Sequence, residues 1–357
     1  MVGASFNGKV YFLMLCANTV KINFLPSEWS PHQGCFLAWP YIEEWGQYID
    51  GAQEELTELV RNIAGSKETP NEKVYLLCAV PEEKRLLENE FRDDSNVQIV
   101  SEEYGDIWLR DTAPVFGFND KGLIAGVFKF NGWGKKYFFD EDIGLSSRLA
   151  KFLGAEPTLT DFVCEGGALE HNGAGVFVTT RSCLLNKNRN PGMSEEQVEA
   201  ALRALFPVEK LIWLEEGLEG DHTDGHVDTL FRFVSENVCL IANARTAPLR
   251  NQKALGDIEK TIREKLPEVK IDMLPAVADI FSTEGELLAA SYLNFYISNN
   301  RVIVPQYDLP TDEIALKKVE EFFPGREVVG LSSKAIISGG GSFHCITQQI
   351  PTRETTK

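Results

Sequence analysis

The sequence predicts an α/β fold assembled from about five related modules. Two observations carry that expectation. Apolar runs of strand length alternate with stretches of helical periodicity and with hairpin signals along the whole chain. Five polar residues, Asp111, Glu165, His226, Asn294 and Cys345, recur at gaps of 54, 61, 68 and 51 residues, each beside a strand-like run. Repeated units that each present one polar group at a strand end would leave such a spacing. No linker or low-complexity segment divides the chain. One domain over residues 26–357 is therefore expected, preceded by an extension over residues 1–25.

The elements follow in order. Residues 34–40 read as a buried strand ended by Pro40. Ala52, Leu56, Leu59, Val60 and Ile63 share one helical face after Asp50. Residues 74–80 form a continuous apolar strand, and Pro81 opens a helix running to about Phe91. Strands are expected at 97–100 and 122–130, and a helix at 143–152. Asn172-Gly173 marks a hairpin turn with a return strand at 176–180. Ser194 and Gln197 make a capping box for a helix to Phe206. Strand 210–214, hairpin 229–234/238–242, a helix within 251–265 and strand 269–274 come next. Residues 294–298 and 301–304 pair through Asn299-Asn300, and Thr311 caps a last helix to Phe323.

Composition excludes several classes. The 357 residues are 43% hydrophobic, with 22 Phe and 6 Trp, so a large packed core is expected rather than disorder. A formal net charge of −18 repels phosphate backbones and attracts cations, which argues against nucleic acid as a partner. The seven cysteines are odd in number, lack a C-x-x-C pair and lie in apolar runs, the pattern of free thiols in a reducing compartment. No run has membrane-spanning length. The apolar stretch 10–17 after Lys9 resembles a weak signal-peptide core, but it lacks a basic leader and a cleavage site, so a cytoplasmic location is expected.

The densest chemistry lies in Asp221-His222-Thr223-Asp224-Gly225-His226-Val227-Asp228. So many ionisable groups gain nothing from a core, which makes the stretch a site or a solvated loop. His226 and Asp228 are two apart and would face one side if the stretch were a strand. Cys345 follows three glycines and is a candidate nucleophile, with His226 a better partner than the adjacent His344. Trp108 with Asp106 and Asp111 suits a delocalised cation, through ring face and carboxylate. Glu165 adds a carboxylate on a glycine-flanked turn. A metal set of His222, His226 and Asp228 is a competing reading, although Thr223 stands where H-E-x-x-H needs Glu.

Seven segments taken together, 26–40, 105–114, 165–167, 186–191, 220–228, 292–304 and 339–348, resemble in sequence and order the agmatine deiminase family, the bacterial branch labelled peptidylarginine-deiminase-like. The resemblance implies a five-fold pseudo-symmetric α/β propeller (a pentein) built from ββαβ-type modules. It implies a hydrolase that converts the guanidinium of agmatine to N-carbamoylputrescine and ammonia, a step of putrescine biosynthesis, with no metal or organic cofactor. It assigns Cys345 as nucleophile, His226 as general acid/base, Asp111 and Asp228 as the guanidinium clamp, Glu165 as a further acid there, and Trp108 as a pocket wall. One position departs: members often carry an acid where this chain has His222, which leaves Asp221 and Asp224 as candidates to hold the distal amine. A peptidyl-arginine or free-arginine deiminase is the alternative, for which Arg181 and Arg189 are the candidate carboxylate partners. A small cationic substrate is the expected partner, with neither nucleic acid nor membrane, and a homodimer is the assembly to test.

Overall fold

The structure is a computed structural model that describes residues 20–353. It is a mixed α/β fold in which five sheets share one strand sense among the described residues. Each begins with an antiparallel pair and continues with a parallel neighbour. Val115–Asn119, Gly122–Lys129 and Glu156–Val163 form one such sheet. Glu170–His171, Val176–Thr180 and Lys210–Leu214 form the next. Phe231–Ser235, Val238–Asn243 and Lys270–Pro275 follow, then Tyr296–Ile297, Arg301–Gln306 and Glu327–Ser332. The remaining sheet takes its antiparallel edge from the end of the chain: Gln348–Pro351 pairs with His32–Ala38, which continues to Val74–Cys78 and Val97–Ser101.

Helices occur where parallel strands require a crossover. Ile49–Ala64, Leu145–Phe152, Glu195–Leu205, Leu249–Lys265 and Asp312–Glu320 each join two parallel neighbours. The first buries Ala52, Leu56, Leu59, Val60 and Ile63, the face given by its periodicity, and stops at Gly65 with φ 73°. Pro81 sits in the first turn of Pro81–Glu90, where its missing N–H costs nothing. Ser194 and Gln197 cap each other's backbone as a capping box. The segment Cys35–Ala38 is fully buried, as a strand flanked on both sides should be.

The sheet pattern explains the recurring polar residues. Asp111, Glu165, His226, Asn294 and Cys345 each lie two to five residues upstream of the antiparallel edge strand of a different sheet. They sit on entry segments outside the strands, Asp111 within the single helical turn Leu109–Thr112, where side-chain direction is not bound to the alternation of a strand.

Several expectations change. The packed body begins before residue 26: Ile22 and Leu25 are buried, and Asn23 and Phe24 donate backbone hydrogen bonds to Phe118 at 2.8 and 3.0 Å. The apolar stretch 10–17 lies outside the described residues. The hairpin at Asn172-Gly173 is a longer loop, with φ 74° at Gly173 and 90° at Gly175, and the Asn172 side chain accepts from the backbone of Ala174 and Val176. Thr311 does not cap its helix, because its hydroxyl pairs with the Tyr292 hydroxyl at 2.7 Å. His226 and Asp228 are not on a strand: His226 caps, and Asp228 lies within, the 3-10 turn Val227–Thr229, which turns them to different neighbours.

Glu55 on the first helix fixes the approach to the glycine run before Cys345. Its carboxylate accepts from Ser332 Oγ and Lys334 N and from Ala335 N and Ile336 N, at 2.5 to 3.0 Å. Glu55→Ala is expected to cost about 1–3 kcal/mol of stability in urea denaturation, because backbone donors around a tight turn lose a charged acceptor.

Candidate active site

Cys345 lies on the turn before Gln348–Pro351 and is 7% exposed. Its backbone N–H donates to Asn294 Oδ1 at 3.2 Å, and its carbonyl accepts from Arg110 N at 3.1 Å. Asn294 Nδ2 lies 3.1 Å from Sγ, and the thiol donates to Asp228 Oδ2 at 3.5 Å. The preceding glycines are a packing requirement. A Cβ at Gly341 would fall 2.7 Å from the Trp108 ring and 3.0 Å from Sγ, and one at Gly339 would meet both Trp108 and Trp45. Only a bare backbone lets the indole wall stand this close to the sulfur.

His226 lies between two carboxylates. Nδ1 is 3.7 Å from Asp111 Oδ2, and Nε2 is 3.7 Å from Glu165 Oε2. Both ring nitrogens and Asp228 Oδ1 are buried without a hydrogen-bond partner among the described residues. Buried polar atoms in this condition mark a site built for something else to complete. The other atoms of the group are engaged. Asp111 accepts from Trp133 Nε1 at 2.8 Å and from Gly167 N at 2.9 Å. Glu165 accepts from Arg189 Nε at 2.6 Å. The Trp133 contact comes from four successive residues of positive φ, Gly132 to Lys135, a strained run anchored by its neighbours.

Burial and charge tune these groups in different directions. Burial, then Asp228 and Asp111, pushes the Cys345 thiol well above its ordinary range. Burial alone would lower His226, but Asp111, Cys183 and Glu165 outweigh it and hold the ring well above the usual imidazole value. Burial raises Asp111 in spite of His226, with Glu165 and Asp228 adding to the rise. Glu165 and Asp228 are lowered: burial opposes this, but His226 and Arg189 prevail at Glu165, and His344, His226 and Arg232 at Asp228.

Above this floor lies a cavity of about 360 Å³. Asp111 and Cys345 form its base, and Trp108 and Trp133 its walls. Trp108 and Trp45 stack at 6.1 Å, and each indole N–H donates to Asp106. The outer end carries Glu44, Glu284 and Glu286, with His222 stacked on Tyr137 at 5.8 Å. No Lys or Arg is among the described lining residues.

Three sequence expectations do not survive. Asp221 and Asp224 do not line the cavity, because the loop uses their carboxylates: Asp221 accepts from Thr223 N and His226 N, and Asp224 is paired with Lys136 and Arg189. Arg181 pairs with Glu195 and Glu215 and Arg189 with Glu165 and Asp224, so neither is a free carboxylate partner in the pocket. The His222–His226–Asp228 metal set does not assemble, since His222 lies at the mouth against Tyr137 while Asp228 faces His344. Glu165, Cys183 and His226 do bring ligand atoms within 4.8 Å of one another. That set suits a metal poorly: Arg189 already holds Glu165, and burial and Glu165 push the Cys183 thiol up to about 11.

Sequence reasoning did not find the support beneath the site. Glu28, Arg110, Arg232 and His344 are buried together behind Asp228 and Cys345. Asn294 was visible as one of the recurring polar residues, but its role beside the sulfur was not.

Comparison with known proteins agrees with this geometry. Residues 24–351 match the model of the Porphyromonas-type peptidyl-arginine deiminases, and the chain belongs to that family. A Shewanella baltica protein, provisionally named an agmatine deiminase, is 35% identical over 92% of this chain and 94% of its own. A Cys→Ser variant of the C. jejuni agmatine deiminase, solved with substrate bound, superposes with a TM-score of 0.83 at 28% identity, over 92% of this chain and 96% of that one. The Enterococcus faecalis agmatine deiminase gives 0.83 at 26% identity, over 93% and 96%.

The raised thiol gives a direct expectation. Alkylation of Cys345 by iodoacetamide in the substrate-free protein should be slow at pH 7 and rise with pH beyond the range of an ordinary cysteine, followed by mass spectrometry of the Cys345 peptide. Thiolate-rate alkylation below neutral pH would contradict it.

Proposed function

We propose that this chain is an agmatine deiminase, hydrolysing the guanidinium of agmatine to N-carbamoylputrescine and ammonia. The observation that carries the reading is a cavity whose base is only partly compensated. Asp111 and Cys345 line it between aromatic walls, with acids and, among the described residues, no Lys or Arg at the outer end. Behind them, Asp228 Oδ1, next to Cys345, and the nitrogens of His226, next to Asp111, are buried without a hydrogen-bond partner among the described residues. The family match and the agmatine deiminases among the similar structures support the same reading.

The chemistry follows from the residues. A guanidinium resists attack because its charge is delocalised, so it must be fixed in plane before sulfur can reach its carbon. Asp111 and Asp228 act as that clamp, and their charge falls on the substrate cation. The cation also offsets the carboxylates that hold the thiol protonated, so binding favours the thiolate. The Cys345 thiolate adds to the guanidinium carbon and gives a neutral tetrahedral adduct. His226, protonated between Asp111 and Glu165, donates its proton to the departing nitrogen. Ammonia leaves, and an S-alkylthiouronium cation remains on Cys345. Neutral His226 then takes a proton from water, whose oxygen adds to the same carbon. Collapse expels the thiolate and releases the ureido product, the surplus proton leaving with ammonia as ammonium.

The outer end of the cavity favours a substrate with a second positive charge. Glu284 and Glu286, on the turn between Ile280–Phe281 and Leu287–Leu288, fit the distal ammonium in place of Asp221 and Asp224. A free α-carboxylate, as in arginine, would meet these acids without a compensating cation. The five sheets of equal strand sense fit a five-bladed α/β propeller around the cavity, forming a single catalytic domain. The six described cysteines, all buried free thiols, fit a reducing compartment such as the cytoplasm.

Ammonia release from agmatine by the wild type, abolished in Cys345→Ser and at least tenfold weaker with arginine, is the expected outcome. Release from arginine or an arginyl peptide instead would keep the chemistry and overturn the substrate. Glu284→Gln combined with Glu286→Gln should raise KM for agmatine by about 3- to 10-fold with little change in kcat, the signature of lost uniform binding. An unchanged KM would remove these acids from the binding site.

A further inference from the structure

We infer that His344 is a positioning residue that holds Asp228 in its guanidinium-binding orientation, an inference that rests on the role proposed for Asp228. Both nitrogens of His344 face carboxylates. Nδ1 lies 2.8 Å from Asp228 Oδ2, and Nε2 lies 2.9 and 3.1 Å from the two oxygens of Glu28. Carboxylates accept and do not donate, so both contacts are satisfied only when both ring nitrogens carry hydrogen. The ring is therefore a fixed, doubly donating link between two buried acids.

Its far end is anchored. Glu28 is also bound by Arg232 Nη2 at 2.5 Å and Arg110 Nη1 at 3.3 Å. Arg232 is fully buried and donates to the carbonyls of Leu293 and Phe295, the residues flanking Asn294. Arg110 donates through Nε to the His344 carbonyl and through its backbone N–H to the Cys345 carbonyl. These arginines thus tie the support to the backbone carrying Asn294 and Cys345.

The near end decides the geometry of Asp228. Oδ2 receives His344, Asn294 Nδ2 and the Cys345 thiol, whereas Oδ1 receives no donor among the described residues. Of these three donors, the ring supplies the shortest contact, and once the thiol loses its proton only the ring and the longer Asn294 contact at 3.2 Å remain. Fixing Oδ2 fixes the rotation of the carboxylate and leaves Oδ1 as the free acceptor. Without His344, Asp228 can rotate, and the clamp loses one of its two carboxylates.

Two substitutions separate the ends of the link. The amide nitrogen of Asn superposes on Nδ1 of histidine, and that of Gln on Nε2. His344→Asn keeps a donor to Asp228 and loses Glu28. His344→Gln keeps a donor to Glu28 and loses Asp228. The probe is methylguanidinium at non-denaturing millimolar concentration, and the readout is its protection of Cys345 from iodoacetamide in the full-length protein. His344→Gln is expected to weaken protection by about 10- to 100-fold more than His344→Asn, the equivalent of one charge-assisted hydrogen bond.

Equal losses in the two variants, or a larger loss in His344→Asn, would overturn the inference, since a merely structural role does not distinguish the two nitrogens. If His344→Gln does not fold, His344→Asn alone decides: protection within about threefold of wild type supports the inference, and a loss of tenfold or more overturns it. Protection in the predicted order without ammonia release from agmatine would sink the proposed function and leave the role of His344 standing. A wild type that methylguanidinium does not protect would remove both.

Discussion

Burying a carboxylate is the constraint on which the rest of this structure depends. Asp111, Glu165, Asp228 and Glu28 are all nine-tenths buried or more, and each must find compensation inside the fold. Arg189 answers Glu165, Arg110 and Arg232 answer Glu28, and His344 lies between Glu28 and Asp228. Asp111 has neutral indole and amide donors and the edge of His226, and its acidity is weakened accordingly. The compensation is uneven, and the unevenness is chemically useful. Where it is complete the acid serves as scaffold. Where it stops short, at Asp111 and Asp228 Oδ1, the protein has left capacity for a cation.

Delivering these groups to one place is the work of the sheets. Each entry segment precedes an antiparallel edge strand and is itself a short turn of helix or loop: Asp111 lies in the single helical turn Leu109–Thr112, Asp228 in the 3-10 turn Val227–Thr229, and Glu165 and His226 at the starts of 3-10 turns. The pairing of Gln348–Pro351 with His32–Ala38 places Cys345, from the end of the chain, in the same body as Glu28 from its start. His344 and Glu28 are 316 residues apart in sequence, and their contact depends on that closure. Loss of the terminal strand would therefore release the turn that carries Cys345, the proposed nucleophile, and uncouple the support of Asp228 together.

Much of this was legible in the sequence, for identifiable reasons. The faces of Ile49–Ala64 and the capping box at Ser194 are local rules acting on local residues, and the structure follows them. The spacing of Asp111, Glu165, His226, Asn294 and Cys345 was legible because one type of entry turn recurs. The failures concern competition among polar groups. Asp221, Asp224 and Asp228 look equivalent as letters, but the first two close the loop against Thr223, Lys136 and Arg189, and only the third meets the sulfur. Glu28 and Arg232 carried no signal, since a single charge in a strand or turn is ordinary until its distant partner is known. A strand over this segment would turn His344 and Cys345 to opposite faces, which is the reason the sequence favours His226 as the partner of the sulfur. The residues form a turn instead, and both side chains converge on Asp228.

The same imbalance accounts for selectivity. In the free protein the thiol faces two carboxylates, and its protonated form is favoured by burial and by both charges. A nucleophile held in this state is poorly reactive toward adventitious electrophiles. In the proposed mechanism, a cation placed between Asp111 and Asp228 reverses the balance, because the charge that disfavoured the thiolate is then compensated by the substrate itself. Neutral amides and ureas bring no such charge and leave the thiol protonated, which includes the ureido product. Product would thus lose the interaction that activated the sulfur at the moment it forms, and the electrostatics that prepare the nucleophile also favour release.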